Sequence, residues 1–279
     1  MISDLPPNPD KVHRLIDQTA RQQHRERARR IGPAGHLHRI AADEIQDRLT
    51  EINRAFTSVG IVTSWPEIWA DLFPEAQIMP DTDSLNLPNG LDLVIHAMSL
   101  HWAEDPVGQI VQCAHALKSD GLFVAVCLGG ETLHELRDVL TRAEISVTGG
   151  LSPRLLPMGE LRDLGGLLGR AGLALPVADH LPLPSSYRDL FHLADDLRAM
   201  GETNAMTARL RQPSKREIFA QAAADYTLHH TDPKDPTRII ATFDLIFLTG
   251  WAPDPSQQKP LRPGSAKVPL AEALNPRKS

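Results

Sequence analysis

The stretch Leu91–Pro106, LDLVIHAMSLHWAEDP, decides the fold. It opens as a near-continuous apolar run, Leu91–Ile95, in which Asp92 is the only charge. A run this short, carrying Val and Ile, predicts a strand buried on both faces of a parallel sheet. Its carboxyl end turns polar and aromatic at once with His96, Ser99, His101, Trp102, Glu104 and Asp105. Open α/β sheets bind ligands outside the carboxyl ends of their strands, so these side chains mark the place to look for a site.

Outward from that strand the pattern alternates. Val59–Val62, Gln77–Met79, Leu122–Leu128, Leu173–Leu183 and Arg238–Leu248 read as further strands. Between them the spacing predicts helices over Pro66–Phe73, Val107–Leu117, Glu131–Glu144 and Met158–Ala171, the last closed by Gly172 in a left-handed turn. Tyr187–Met200 and Lys215–Tyr226 are helical and more polar. Strand and helix alternate from about residue 59 to 183, which predicts a parallel sheet with helices on both faces. Two helices, roughly 11–30 and 37–56, precede it, split by Gly32-Pro33-Ala34-Gly35. The organisation predicted is a helical arm over 1–56, an α/β domain over 57–251 with a helical insertion at about 186–226, and an extended Pro-rich tail over 252–279.

Composition narrows the function classes. With 42% hydrophobic and 23% charged residues, the chain reads as a soluble globular protein. A net charge of −6 argues against a general nucleic-acid binder. No apolar run approaches a membrane span, and nothing reads as a signal peptide. The stretch 11–30 is rich in arginine (Arg14, Arg21, Arg25, Arg27, Arg29, Arg30). A solvated basic helix is the reading favoured over an organelle transit peptide, because transit peptides lack acids and Asp17 and Glu26 are present. Cys113 and Cys127 read as two separate buried thiols.

The segments 121–137 (GLFVAVCLGGETLHELR), 149–172 (GGLSPRLLPMGELRDLGGLLGRAG), 200–204 (MGETN) and 249–270 (TGWAPDPSQQKPLRPGSAKVPL) together resemble one branch of the class I S-adenosylmethionine (SAM) methyltransferases. That branch is the methyltransferase-like assembly factor of respiratory complex I, whose mitochondrial members are protein-arginine hydroxylases. A related branch methylates malonyl-carrier protein in biotin synthesis. The resemblance covers about residues 36–274. It implies a Rossmann-like class I methyltransferase sheet, SAM as cofactor and a protein partner such as a complex I subunit. It also implies a cytoplasmic location, peripheral to the respiratory membrane, or the matrix side of that membrane in a eukaryote.

The first half departs from that family. A SAM site needs an acid at the end of the first strand and a glycine-rich turn that lets the backbone approach the cofactor. Here the place reads Val59-Gly60-Ile61-Val62-Thr63-Ser64-Trp65-Pro66, with no acid and with Trp65 where the cofactor would lie. From this strand to Asp92 there is too little chain for two further strand–helix units. One unit is therefore expected to be missing, the one that supplies the acid for the ribose hydroxyls. By resemblance, Asp81 stands at the adenine-side acid, and Asp81, His96, Ala97, His101 and Trp102 are the candidate cofactor contacts. An ordinary turn aspartate competes for Asp81, and simple packing competes for His101 and Trp102. Glu202 and Asn204 lie in a segment expected to cover the ligand edge. Two histidines without clustered carboxylates, and no compact His-x-Asp…His triad, give no metal set. The functional readings are an assembly or maturation factor with a degenerate SAM site, an active methyltransferase with an altered pocket, and a hydroxylase dependent on a metal or partner.

Overall fold

The computed structural model describes residues 14–258. The ends of the predicted arm and tail, including Val268 and Leu270, lie outside the described residues. Two helices, α1 (Gln18–Ile31) and α2 (His36–Glu51), lead into β1 (Val59–Thr63), α3 (Pro66–Leu72), β2 (Gln77–Pro80) and β3 (Leu91–Ala97). A 3-10 turn at Leu100–Trp102 is followed by α4 (Pro106–Ala116), β4 (Leu117–Leu128), α5 (His134–Thr148), α6 (Leu161–Arg170) and β5 (Ala174–Tyr187). Then come α7 (Leu190–Met200), α8 (Arg216–His229), the short β6 (Thr231–Asp232) and β7 (Asp235–Trp251).

The sheet order is β2-β1-β3-β4-β7-β5, with β6 paired to β7. β2, β1, β3 and β4 are mutually parallel, while β7 runs antiparallel to both β4 and β5. The five strands before residue 190 therefore share one direction, as their alternation with helices predicts. The last strand enters as an antiparallel wedge, which no local pattern announces because its partners β4 and β5 lie far upstream in the chain. The class I methyltransferase layout implies two strands outside β1. Only β2 lies there, and it joins β3 through a connection without a helix, so the sheet is one unit short as expected.

Both faces are covered, which explains the unbroken burial of β3. Ile61, Leu93, Ile95, Val124, Val126, Leu245 and Phe247 point to one core with α2, α3, α5, α7 and α8. Val62, Val94, Phe123, Ala125, Ile246 and Leu248 point to the other, under α4 and α6. Helix starts follow the sequence chemistry. Asp17 and Asp105 cap α1 and α4 by accepting from Ala20 N and Gly108 N, and Pro66 and Pro106 open α3 and α4. Gly172 ends the turn after α6 with φ +81°, in the left-handed region assigned to it. Cys113 and Cys127 are both free and buried.

Phe247 is fully buried where β7 wedges between β4 and β5. Phe247→Ala should destabilise the fold by about 3–5 kcal/mol in urea unfolding. A cost near zero would show that the wedge contributes little to the core.

Candidate functional site

The carboxyl ends of β1, β2 and β3 converge under α1. At the end of β1, Thr63 Oγ1 accepts from Trp65 N at 3.2 Å, folding the chain sharply into α3. Trp65 is 2% exposed, so it fills the space beside β1 and does not line an opening. Its ring meets His38 of α2 edge-on at 6.3 Å, and the Arg29 guanidinium lies 4.9 Å from its centroid. Gly201, which ends α7 at φ +76°, comes so close that a Cβ there would lie 3.2 Å from Trp65 Cζ2. Arg29 also donates from Nη2 to Ser64 O at 2.8 Å and from Nε to Glu67 at 3.1 Å.

Asp81 follows β2, and two guanidiniums from α1 hold it. Arg25 bonds it bidentately, Nη1 to Oδ1 and Nη2 to Oδ2, both at 3.1 Å. Arg21 Nη2 donates to the same Oδ2, and Ser64 Oγ adds a bond at 3.1 Å. The Asp81 side chain is only 8% exposed and that of Arg21 only 7%. Burial alone pushes the carboxyl up. The charges of Arg25 and Arg21, with bonds from Arg25 and Ser64, outweigh it and hold Asp81 below the usual carboxylate range. Burial and the neighbouring Arg25 pull Arg21 down to about 10 against the opposing pull of Asp81.

A second, half-buried acid, Glu202, sits in the turn after α7. Its Oε2 accepts from Trp102 Nε1 at 2.9 Å and pairs with His101 Nε2 at 3.2 Å. Arg21 lies over the Trp102 ring, 5.6 Å from its centroid, and so links the two acids. Burial pushes Glu202 up, but His101, Arg25 and the Trp102 bond keep it low. The Glu202 turn thus lies against the residues that follow β3. Asn204 reaches Pro153 O at 2.8 Å and fixes the loop that follows.

Of the five candidate contacts, Asp81, His101 and Trp102 meet in one network through Arg21 and Glu202. His96 and Ala97 stand apart, buried inside β3. Gln109 donates to Thr82 O, which fixes its amide, so its Oε1 accepts from His96 Nε2 at 2.6 Å. Complete burial lowers the His96 pKa, against the opposing pull of the Gln109 bond. Ala97 is registered between Thr63 and Val126 and packs in the core.

The basic helix differs from its solvated reading. Arg21, Arg25 and Arg29 recur every fourth residue on one face of α1; Arg21 and Arg25 point inward, whereas Arg29 at the rim and Arg27 and Arg30 stay exposed as that reading expects. The spacing was visible in the sequence; the buried acid that draws it inward was not. Arg21, Arg25 and Arg29, with Thr63, Ser64 and Asp81, line an open hollow of about 720 Å³. Its volume is within the range of ligand pockets.

SAM does not suit the residues beside β1 while α1 is docked. Its cationic sulfonium and ammonium would face the guanidiniums of Arg21 and Arg25, and no glycine turn lets the backbone approach. Among the described residues no three His, Cys, Asp or Glu side chains converge in a way that could hold a metal ion.

Comparison with known proteins places this geometry. Over 182 residues the sequence is 42% identical to the mitochondrial arginine-hydroxylase NDUFAF5 of Dictyostelium discoideum, covering 65% of this chain and 41% of that protein. The chain is a relative of NDUFAF5. The zebrafish (Danio rerio) protein of the same name is 36% identical over 200 residues, with 71% of this chain and 61% of that one covered. The chain thus spans two fifths to three fifths of the length of these NDUFAF5 relatives. A malonyl-[acyl-carrier protein] O-methyltransferase of Gallionella capsiferriformans is 29% identical over 199 residues, 69% of this chain and 63% of that one. The YcgJ structure of Bacillus subtilis overlays with a TM-score of 0.47 at 15% identity, over 78% of this chain and all of that one. No family model matches the chain.

The Asp81 network generates a pH-dependent prediction. The folded value of Asp81 lies below its unfolded value of about 3.9, so its stabilisation is full above that pH and is lost as pH falls through the folded value. Asp81→Asn should cost about 3 kcal/mol at pH 7, because it leaves buried guanidiniums without their counter-charge. The gap to wild type should narrow below about pH 4. Urea unfolding at pH 7 and pH 3 measures both, and a gap that is constant with pH would contradict the pairing.

Proposed function

We propose that this chain is an assembly or maturation factor of the complex I arginine-modifying type, acting by binding a protein subunit through a methyltransferase-like fold whose SAM place is degenerate. The observation that carries this reading is the docking of Arg21 and Arg25 on Asp81, beside a Trp65 that fills the end of β1. The likeness to the arginine-hydroxylases supports it from sequence. In this reading helices α1 and α2 and the insertion over 186–226 together cover the carboxyl edge, and the partner is a respiratory-chain subunit. The place of action is the cytoplasmic face of the respiratory membrane, or its matrix face in a eukaryote. No helix among the described residues is long and apolar enough to cross a membrane, which accords with a peripheral role.

A second reading, an active SAM-dependent methyltransferase with an altered pocket, draws on the open hollow beside α1 and the likeness to the malonyl-[acyl-carrier protein] enzyme. In that case the residues around Asp81 would align methyl donor and acceptor in a dry site.

Calorimetry separates the two. Titration with SAM to about 1 mM should give no saturable heat, and the melting temperature should stay unchanged, since a ligand that binds the native state raises it. Saturable binding favours the methyltransferase. Affinity capture on the immobilised chain should recover a respiratory-chain subunit from solubilised respiratory membranes, and failure to recover one counts against the assembly role.

A further inference from the structure

Three guanidiniums, two carboxylates and two indoles meet at the carboxyl edge of this sheet. The carboxylates of Asp81 and Glu202 and the rings of Trp65 and Trp102 belong to the α/β body, whereas the guanidiniums all come from α1. A bidentate carboxylate flanked by aromatic faces is the recognition chemistry of an arginine side chain. The body thus presents a cation-binding cleft, and α1 fills it.

α1 is held there mainly by polar contacts. Of its fourteen residues only Ala20, Arg21 and Ala28 are buried. Asp17, which caps it, pairs with Arg209 at 2.9 Å. The Glu104 carboxylate accepts from Leu15 N and Ile16 N at 3.0 and 2.6 Å, and Ile16 bridges to Met206 and packs in a small cluster with Trp102. At its other end Gly32 takes φ +98°, with nothing within 4 Å of where a Cβ would stand. Pro33 follows, also exposed, before Ala34 N bonds Ala199 O at 3.0 Å and fixes the start of α2, so the free part of the joint is Gly32-Pro33. The fit of the occupant is also imperfect: Arg21 Nε is buried without a hydrogen-bond partner.

We propose that α1 is a displaceable internal occupant of this cleft, its Arg21 and Arg25 standing where a guanidinium-bearing segment of a partner protein docks, so that the arm must lift about Gly32 before that segment enters. The chain in its closed form is self-occluded. This inference rests on the reading that the cleft is not a seated SAM site, and it adds a regulatory step to that reading.

The test is chemical rescue on the full chain. The variant Arg21→Ala/Arg25→Ala keeps both acids and both indoles and removes the occupants. Methylguanidinium chloride up to about 20 mM should raise its melting temperature saturably by several degrees over equal sodium chloride. Wild type and the triple variant with Asp81→Asn should not respond. Absence of a saturable rise in the double variant, or an equal rise in the triple variant, overturns the proposal.

If the double variant does not fold, hydrogen exchange decides. In a variant with the latch loosened, Asp17→Asn/Glu104→Gln, acetyl-arginine amide at 20 mM should speed exchange of the α1 amides at least threefold relative to acetyl-lysine amide. Equal exchange with both probes overturns the proposal. SAM run beside these probes keeps the two readings apart: a melting shift with SAM in wild type sinks the proposed function, whereas the guanidinium arms alone decide this one.

Discussion

One buried carboxylate sets the arrangement of the whole edge. Asp81 leaves β2 with its side chain almost fully removed from water, and an isolated ionised group there costs several kcal/mol of lost hydration. That cost is offset only when cations reach it in good geometry. Nothing on β1 or β2 supplies one, so the cations come from α1, some sixty residues earlier in the chain. Docking α1 then fixes Arg29 over Trp65 and Arg21 over Trp102, and the turn carrying Glu202 closes against the same helix. The lost strand–helix unit makes this possible, because β2 becomes an edge whose carboxyl end a helix from elsewhere can approach.

The fold was largely legible because its signals are local. Leu91–Ile95 could only be a strand buried on both faces, and Pro66, Asp105-Pro106 and Gly172 mark helix ends by backbone chemistry that acts within one turn. The position of β7 was not legible, since pairing of Leu122 with Trp251 is a contact across the length of the domain. The site divides in the same way. Trp65 reads as an obstruction from type and place alone, and its ring is buried beside β1. The arginine stripe reads equally well as a solvated face, because a charge pattern does not say whether its partner is water or a distant buried acid. His96 sits at the right end of the right strand, yet the pleat turns it to the α4 face, where Gln109 holds it. Alternation along β3 places it there, since His96 shares parity with the buried Val94 and not with Ala97.

The charges at this edge balance only when α1 is in place. Arg21 and Arg25 face Asp81 and Glu202, so the docked cleft is near neutral, and withdrawal of α1 leaves two acids between two indoles. A cleft in that state attracts any compact cation, and the planar, delocalised guanidinium is the one that two carboxylates and aromatic faces hold best. The acids and rings that α1 now covers with its guanidiniums are thus the composition that would accept an arginine once α1 has gone. Because the buried pairs are poorly screened while the Asp17–Arg211 contact at the rim is exposed, salt acts on the latch before it acts on the occupant. In the proposed displacement the arm therefore loosens first at its amino end, with Gly32 as the pivot.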